Sequence, residues 1–265
     1  MKIFWSFSRQ AFYNMVMYRF DFWVRRIVLL FVMYGVYCLW NILYTQNAKE
    51  LEVNLNQIIT YGILGVALQA SLITAMGPQR YIASQIRMGS IDTDLVKPID
   101  FHLHMLARNF GETAFRFITA TIPTLIIGFI FLGFELPCDL FNGFAFAFSI
   151  ALGYLIQFSL NFILGILAIV SVDIKNISWA YISLVSFFSG DMIPLWLFPT
   201  ALRSIAEIMP FKCIFYIPIS IYIGNFSRIM VIKEVLFQLI WCIVLLLLGR
   251  IFWICAYSRI KIQGG

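Results

Sequence analysis

The segment PQRYIASQIRMGSIDTDLVKPIDFHLHMLARNFGETAFRF, residues 78–117, governs how the rest of the chain is interpreted. It is polar and basic, and the apolar runs on either side of it carry no charged residue. Runs of about 20 apolar residues are long enough to cross the hydrocarbon core of a bilayer as helices. The sequence therefore predicts a membrane protein with a structured polar insert outside the membrane, where a partner can bind it.

The composition supports an all-α membrane protein. Of the 265 residues, 62% are hydrophobic and 12% are charged, and the mean hydropathy is +0.88. A soluble domain of this size could not cover so much apolar surface with polar side chains. The apolar runs are continuous rather than alternating, which argues against an outer-membrane barrel.

The apolar runs predict six transmembrane helices. They lie at about residues 27–44, 57–76, 117–134, 140–170, 178–198 and 235–257. The fourth run would reach about 45 Å as a helix, which exceeds one bilayer core but is too short for two spans. We therefore interpret it as one long or tilted helix.

Two shorter segments are predicted to lie at the membrane without spanning it. Residues 1–26 place Phe4, Phe7, Ala11 and Met15 at helical spacing, which is typical of an interfacial amphipathic helix. Residues 199–225 contain an apolar piece that is too short to span, so we predict an outer re-entrant helical hairpin there. The whole chain, residues 1–265, is interpreted as one transmembrane domain.

The charge distribution predicts the orientation. With six spans, 14 of the 19 Lys and Arg residues fall on the side of the termini and the insert, and 5 fall on the other side. Cytoplasmic segments carry the excess of Lys and Arg, so both termini and the insert are predicted to be cytoplasmic. A seventh span at residues 213–223 would place Arg259 and Lys261 outside, against this rule.

Motifs for chemistry are missing from the sequence. There is no phosphate loop, no HExxH pair and no recognisable Ser/His/Asp spacing, so no catalytic residue is predicted. His102 and His104 would point to different faces of a helix, so we predict no metal site. The first four spans are free of charge and offer no carboxylate for ion coupling. If both residues face an oxidising exterior, Cys138 and Cys213 could form a disulfide.

The insert itself predicts two short elements. Arg80, Ile82, Ile86 and Arg87 fit a short helix that Gly89 would end. Residues 91–95 could start a second element with Asp92 or Thr93 as its N-cap, before Pro98 breaks it. A short helix with defined ends suits a partner's groove. The alternative is a cytoplasmic loop that lies on the membrane.

Three sequence segments, taken together and in their order along the chain, resemble the motifs of a known family. They are IRMGSIDTDLVKPI at residues 86–99, FSGDMIPLWLFP at residues 188–199 and MPFKCIFYIP at residues 209–218. Together they resemble ABC-2 type permease subunits, in particular the bacterial branch of about 260 residues. The likeness covers essentially the whole chain.

The resemblance implies a cytoplasmic (inner) membrane protein of a bacterium. It implies that two permeases, identical or paralogous, pair and bind a dimer of ABC ATPase subunits, with no nucleic acid involved. ATP and Mg²⁺ would bind to the ATPase, so no cofactor is expected on this chain. The residues expected to contact the ATPase or couple to it are Arg80, Tyr81, Ile82, Ile86, Arg87, Gly89, Ile91 and Asp92. Those expected to shape an outer gate are Gly190, Asp191, Pro194, Pro199 and Pro210.

Asp191 is the acidic candidate at membrane depth. If the fifth helix continues to this residue, Asp191 lies about 21 Å beyond Ile177, in the outer third of the membrane. Such a residue is a functional candidate, and the alternative is that it only caps a broken helix end.

The sequence therefore predicts the permease half of an ATP-driven exporter. The 27 Phe residues suit an amphiphilic or apolar substrate, although lipid-facing positions explain most of them. Two other classes were weighed. A lipid-modifying membrane enzyme would need clustered polar catalytic residues, which the sequence lacks. The alternative that the sequence leaves is a structural or regulatory membrane subunit that transports nothing.

Overall fold

The computed structural model describes residues 2–16, 19–47, 54–73, 77–137, 139–167 and 174–257. The described residues are almost entirely helical and include no strand. The α-helices are α1 (Lys2–Val16), α2 (Arg19–Asn47), α3 (Leu55–Leu72), α4 (Pro78–Met88), α5 (Asp92–Leu95), α6 (Phe101–Arg116), α7 (Ile122–Phe131), α8 (Leu140–Leu167), α9 (Ile174–Phe188), α10 (Thr200–Ile208), α11 (Tyr216–Tyr222) and α12 (Arg228–Tyr257).

Five helical segments of the described chain are long and apolar enough to cross a membrane. They are Trp23–Gln46, Leu55–Leu72, Phe101–Phe131, Leu140–Leu167 and Arg228–Tyr257. The expected single long helix after residue 140 is confirmed, since α8 is continuous over 28 residues. The predicted span at residues 178–198 contains only a shorter apolar helix, Ile177–Phe188.

This shorter helix ends because the chain turns sharply after α9. Gly190 has φ +74°, a left-handed conformation that residues with a Cβ rarely adopt. The backbone N–H of Tyr216 then donates to the Ser189 carbonyl oxygen at 2.9 Å, so α11 begins beside the end of α9. At 1.5 Å per residue, α9 is about 22 Å long and α11 about 10 Å. Neither helix alone matches a bilayer core of about 30 Å.

The core of the molecule is built on α3 and α8. Most residues of α3 are buried, and α2 packs against it through Met33, Val36 and Trp40. The long helix α12 runs along α8, where Ser149 donates to the Gln238 side-chain oxygen at 2.8 Å. The helix α4 of the insert also packs on α8, with Ile82 against Gly165. The polar insert is therefore fastened directly to a central helix.

The described residues of the predicted interfacial segment 1–26 are helical. They belong to α1, Lys2–Val16, and to the start of α2, Arg19–Asn47. Rather than standing alone, α1 lies along α6. The Phe7 ring meets the His104 ring at 4.7 Å, and the Phe12 ring meets that of Phe115 at 5.3 Å.

The helix of the third predicted span starts earlier than residue 117. One apolar helical segment runs over Phe101–Phe131, so the second half of the polar insert belongs to this helix. A π-helical turn, Phe117–Thr121, joins α6 to α7. Its sequence cause is Pro123, which has no N–H to donate and whose ring crowds the carbonyl four residues back. The N–H of Ile122 donates to the carbonyl oxygen of Phe117, five residues back, rather than to that of Ile118.

The segment between α9 and α12 is folded onto its own chain. Lys212 forms an ion pair with Glu234 at 2.9 Å, and Gln238 donates to the Cys213 carbonyl oxygen at 2.8 Å. With only seven residues, α11 is too short to carry residues 213–223 across a bilayer. Cys213 is buried and free, and Cys138 lies outside the described residues.

Candidate functional site

The insert folds as a helix, a sharp turn and a single helical turn. As predicted, α4 ends at Gly89, whose φ of 65° is left-handed. The N–H of Ser90 donates to the Gln85 carbonyl oxygen at 2.9 Å, which is the six-residue bond of a Schellman motif. This motif gives α4 a defined end.

The predicted capping of the second element is wrong. The residue before α5 is Ile91, in a right-handed helical conformation without a side-chain cap. Asp92 and Thr93 lie inside the turn, and the Thr93 hydroxyl donates back to the Ser90 carbonyl oxygen at 2.7 Å. The turn forms because Ser90 and Ile91 already accept the first backbone bonds, so a capping side chain is unnecessary.

The residues predicted to couple to the ATPase fall into three groups by exposure. Ile82 and Ile91 are buried, and Ile82 packs in a cluster with Phe158 and Phe162 of α8. Arg87 and Gly89 are exposed. The remaining predicted residues are half-buried: Arg80, Tyr81, Ile86 and Asp92. The structure therefore offers Arg87 and Gly89 to a partner, while Ile82 and Ile91 shape the support beneath them.

Two apolar residues on the same insert were missed by the sequence analysis. Met88 is 77% exposed at the end of α4, and Val96 is 84% exposed just after α5. Exposed apolar side chains next to a polar surface are typical of partner contacts. The sequence signal was present, since both lie near the helix breakers Gly89 and Pro98 in an otherwise polar segment. We call Arg87, Met88 and Val96 the insert tip.

Tyr81 faces inward from α4 and connects the insert to α6. Its hydroxyl donates to the Asp94 carboxylate at 2.8 Å, and Asp94 also pairs with Lys97 at 2.6 Å. Burial, followed by the hydrogen bond to Asp94, raises the pKa of the Tyr81 phenol. The Arg108 guanidinium of α6 lies over the Tyr81 ring, 3.7 Å from its centroid. One side chain thus touches α5 and α6.

The polar contacts continue along α6 to the π-helical turn. Glu112 pairs with Arg108 at 3.1 Å and with Arg116 at 3.3 Å. One turn on, Arg26 of α2 donates to the Thr119 hydroxyl at 3.0 Å. The Thr121 hydroxyl donates to the Ala67 carbonyl oxygen of α3 at 2.7 Å. The insert is therefore connected through α6 to the place where three long helices meet.

Asp191 is the centre of a second polar cluster. It is 1% exposed and lies between α3 and α9. Its carboxylate accepts hydrogen bonds from the Gln69 amide at 2.7 Å, the Ser186 hydroxyl at 3.1 Å and the Met192 N–H at 2.8 Å. These donors belong to different elements, so Asp191 braces α9 against α3 and caps neither.

The depth predicted for Asp191 assumed that the helix continued past residue 188. In the structure α9 ends at Phe188 and the chain turns at Gly190, so the distance from Ile177 to Asp191 is not that of a continuous helix. Gln69, which donates to the Asp191 carboxylate, lies in the last turn of α3. The location of Asp191 in the outer third of the membrane stays a prediction.

The other residues of the predicted outer gate lie at separate turns. Gly190 is buried, and its carbonyl oxygen accepts a short hydrogen bond from the Tyr61 hydroxyl. Pro194 precedes a 3₁₀ turn, Pro199 precedes α10, and Pro210 begins the 3₁₀ turn Pro210–Cys213. Only Gly190 and Asp191 come together, while each proline marks the start of a different element.

Substitutions at Asp191 should separate a brace from a charge-dependent contact. Asparagine can keep two of the bonds by rotating its amide, so we expect Asp191→Asn to retain expression and transport. Alanine leaves buried donors without partners, at about 1–3 kcal/mol each, so Asp191→Ala should lower the melting temperature in detergent. Loss of transport in both variants at normal expression would contradict the brace and indicate a role for the charge.

No metal centre is found in the part of the chain that the structure describes, since no three His, Cys, Asp or Glu side chains cluster there. The two histidines of the insert face different neighbours. The His102 ring packs on Phe162 at 4.6 Å, and the His104 ring packs on Phe7 of α1. Both imidazoles act as packing groups of α6.

The family follows from a match to a family model. The described residues form a helical bundle with a structured polar insert and five segments that are long and apolar enough to cross a membrane. The model of the ABC-2 family transporter proteins matches residues 30–264, and the chain belongs to this family. It is an ABC-2 type permease, a transport subunit that is not itself catalytic. Among curated proteins, none is similar enough to match.

Proposed function

We propose that the chain is the permease half of an ATP-driven exporter and that the insert tip is its contact with an ABC ATPase dimer. The observation that carries the proposal is the exposure of Arg87, Met88 and Val96 on a segment with rigid ends. An exposed cation together with exposed apolar side chains suits a groove with an acidic rim. The buried Ile82, which packs with Phe158 and Phe162 of α8, would hold α4 in place when the tip is displaced.

The mechanism assigns different tasks to the two proteins. The ATPase binds ATP and Mg²⁺, while this chain supplies no phosphate-binding loop. Closure of the ATPase dimer would displace the insert tip, and Tyr81 would pass the displacement to Arg108 and α6. The π-helical turn Phe117–Thr121 would then let α6 tilt relative to α7, since such turns interrupt the regular helix ladder. Two bundle arrangements, biased by nucleotide, would alternate.

The sixth crossing is proposed to consist of two short helices. Together α9 and α11 reach about 32 Å, close to a bilayer core of about 30 Å. The bond from Tyr216 to Ser189 joins them where the chain is broken. Residues between them would form the re-entrant part, which its own chain covers as broken backbone at membrane depth requires. Both termini and the insert would then be cytoplasmic, in the inner membrane of a bacterium.

The substrate is proposed to be amphiphilic or apolar. The five long apolar segments contain few charged side chains, and the buried charges Glu112 and Lys212 are paired within the chain. A charged solute would meet few free partners along such helices, whereas an amphiphile could move along their aromatic surfaces. A second permease, identical or paralogous, would complete the path.

The proposal is tested by reconstituting the complex. The chain is co-expressed with ABC ATPase subunits from the same genome, purified through a tag on the ATPase, and placed in proteoliposomes. We expect stable co-purification and ATP-dependent movement of a fluorescent amphiphile. Co-purification without movement of any amphiphile tested would favour a regulatory subunit, and the lack of any ATPase association would refute the proposal.

A further inference from the structure

Three arginines meet where the apolar part of α2 begins, beside the end of α6. Arg26 of α2 donates to the Thr119 hydroxyl at 3.0 Å, and Arg116 lies three residues before Thr119 in the chain. The guanidinium groups of Arg25 and Arg26 are close enough to that of Arg116 to repel it. We call Arg25, Arg26 and Arg116 the arginine cluster. It brings three cations together on two neighbouring helices.

The carboxylate beside the arginine cluster is shared with a fourth arginine. Glu112 pairs with Arg116 at 3.3 Å and also with Arg108 at 3.1 Å. These four arginines and one glutamate leave three positive charges in excess, or two if Asp21, four residues before Arg25 in the sequence, is counted. Like charges held together at the edge of a low-dielectric region repel each other strongly. An added anion would therefore stabilise the cluster.

The Arg116 guanidinium is incompletely satisfied by the protein. Its side chain is only 13% exposed, and its Nη1 is buried without a hydrogen-bond partner among the residues that the structure describes. A buried charged donor of this kind is costly unless an acceptor meets it. A phosphate group offers several acceptor oxygens and can take two parallel N–H bonds from one guanidinium. A small rotation of the flexible Arg116 side chain toward a phosphate would supply the missing bond.

The surroundings of the arginine cluster suit a lipid better than a soluble anion. Exposed apolar side chains follow it directly on both segments, with Ile27 and Val28 on α2 and Ile118 on the π-helical turn. Trp23, which is also exposed, lies one helical turn before Ile27, and tryptophan is enriched where a membrane meets water. Acyl chains can cover these apolar side chains while a phosphate stays with the arginines. Basic pockets between membrane helices bind anionic headgroups in this way.

We propose that the arginine cluster binds the phosphate group of an anionic phospholipid, whose acyl chains lie along the exposed apolar side chains of α2 and of the π-helical turn. The bound lipid would offset the excess positive charge and tie the start of α2 to the end of α6. It would also lie beside the turn Phe117–Thr121, at which α6 is proposed to tilt. The inference goes beyond the transport role and depends on neither the ATPase nor the substrate.

The test is a lipid titration of the purified chain in an uncharged detergent, followed through the melting temperature. A ligand that binds only the folded protein raises the melting temperature as its concentration exceeds its dissociation constant. Short-chain phosphatidylglycerol should raise the melting temperature in a saturable manner. Phosphatidylcholine of the same chain length, which has no net charge, and inorganic phosphate, which has no acyl chain, should have little effect at the same concentration.

Two variants of the arginine cluster and one matched control locate the binding. Arg25→Gln removes a charge from an exposed side chain, and Arg116→Gln removes the charge that Glu112 contacts. Each variant should bind phosphatidylglycerol about fivefold more weakly, since one basic side chain near an anionic lipid contributes about that factor. Arg228→Gln removes the same charge from an exposed side chain at the start of α12, beside Asp139, and should bind as the unmodified chain does.

Three outcomes would overturn the proposal. Equal affinity of the Arg25→Gln and Arg228→Gln variants would show that the cluster does not hold the lipid, even if Arg116→Gln failed to fold. Equal stabilisation by phosphatidylcholine and phosphatidylglycerol would show that the acyl chains bind without the arginines. Equal stabilisation by inorganic phosphate would assign the cluster to a soluble phosphate and exclude the lipid as its specific ligand.

Discussion

Replacing Arg87 by Glu together with Met88 by Asp is expected to abolish binding of the ATPase while leaving the permease folded. Both side chains are exposed on the insert tip, and neither contributes to a buried cluster. Central contact residues that lose both shape and charge complementarity typically cost about 2 kcal/mol or more, or about 30-fold in affinity. Transport in proteoliposomes should fall in parallel, because the push from the ATPase no longer reaches the bundle.

The control for this variant is an equally exposed apolar residue elsewhere. Leu140 is 84% exposed at the start of α8, at the end of the bundle opposite to the insert. Leu140→Asp should therefore leave co-purification with the ATPase and transport intact. Ile86 is unsuitable for the test, because it packs against the core cluster below α4. Normal transport by the Arg87→Glu/Met88→Asp variant would refute the assignment of the insert tip.

Replacing Gly65 by Ala is expected to cause the largest loss of stability of any single methyl group added to α3. A methyl group at Gly65 would overlap the backbone carbonyl oxygen of Asp191. Since backbone cannot rotate away as a flexible side chain can, α9 and the turn at Gly190 would have to move. Overpacking of this kind costs about 1–3 kcal/mol and occasionally more. The measurement is the melting temperature and the yield of monodisperse protein in detergent.

Gly35 provides the matched control for Gly65. Both glycines lie within long apolar helices, but a methyl group at Gly35 would meet no atom within 4 Å. Alanine there should be neutral or should stabilise the helix by about 0.5–1 kcal/mol, because glycine loses more conformational freedom on folding. If both variants lost stability equally, the close contact between α3 and the Asp191 turn would not be the cause.

The family membership also decides how the polar clusters are interpreted. Buried charges in a soluble enzyme would suggest catalysis. Here Glu112 pairs with Arg108 and Arg116 on its own helix, while Asp191 accepts hydrogen bonds from Gln69 of α3 and Ser186 of α9. Groups held in this way tie the helices together more than they react. Asp191 is therefore interpreted as a contact that holds α3 and α9 together, so that the two helices move as one rigid unit when the insert is displaced.

Local sequence signals were sufficient for much of this architecture. The long apolar runs predicted α2, α3, α8 and α12, because burial of a helical backbone in lipid depends on composition and length alone. Gly89 predicted the end of α4, since only glycine easily takes the left-handed conformation that the turn requires. The short apolar run at residues 213–223 contains the short helix α11, of seven residues, while the re-entrant hairpin predicted there stays a prediction.

The tertiary structure alone decided which residues face each other. The sequence could not show that Ile82 and Ile91 point inward while Met88 and Val96 point outward, because the α4–α8 packing selects the buried side of so short a helix. It could not show where the fifth predicted helix breaks, because the turn at Gly190 interrupts a run that hydropathy treats as continuous. Contacts such as Tyr81 with Arg108 join residues far apart in sequence, and only packing of the helices brings them together.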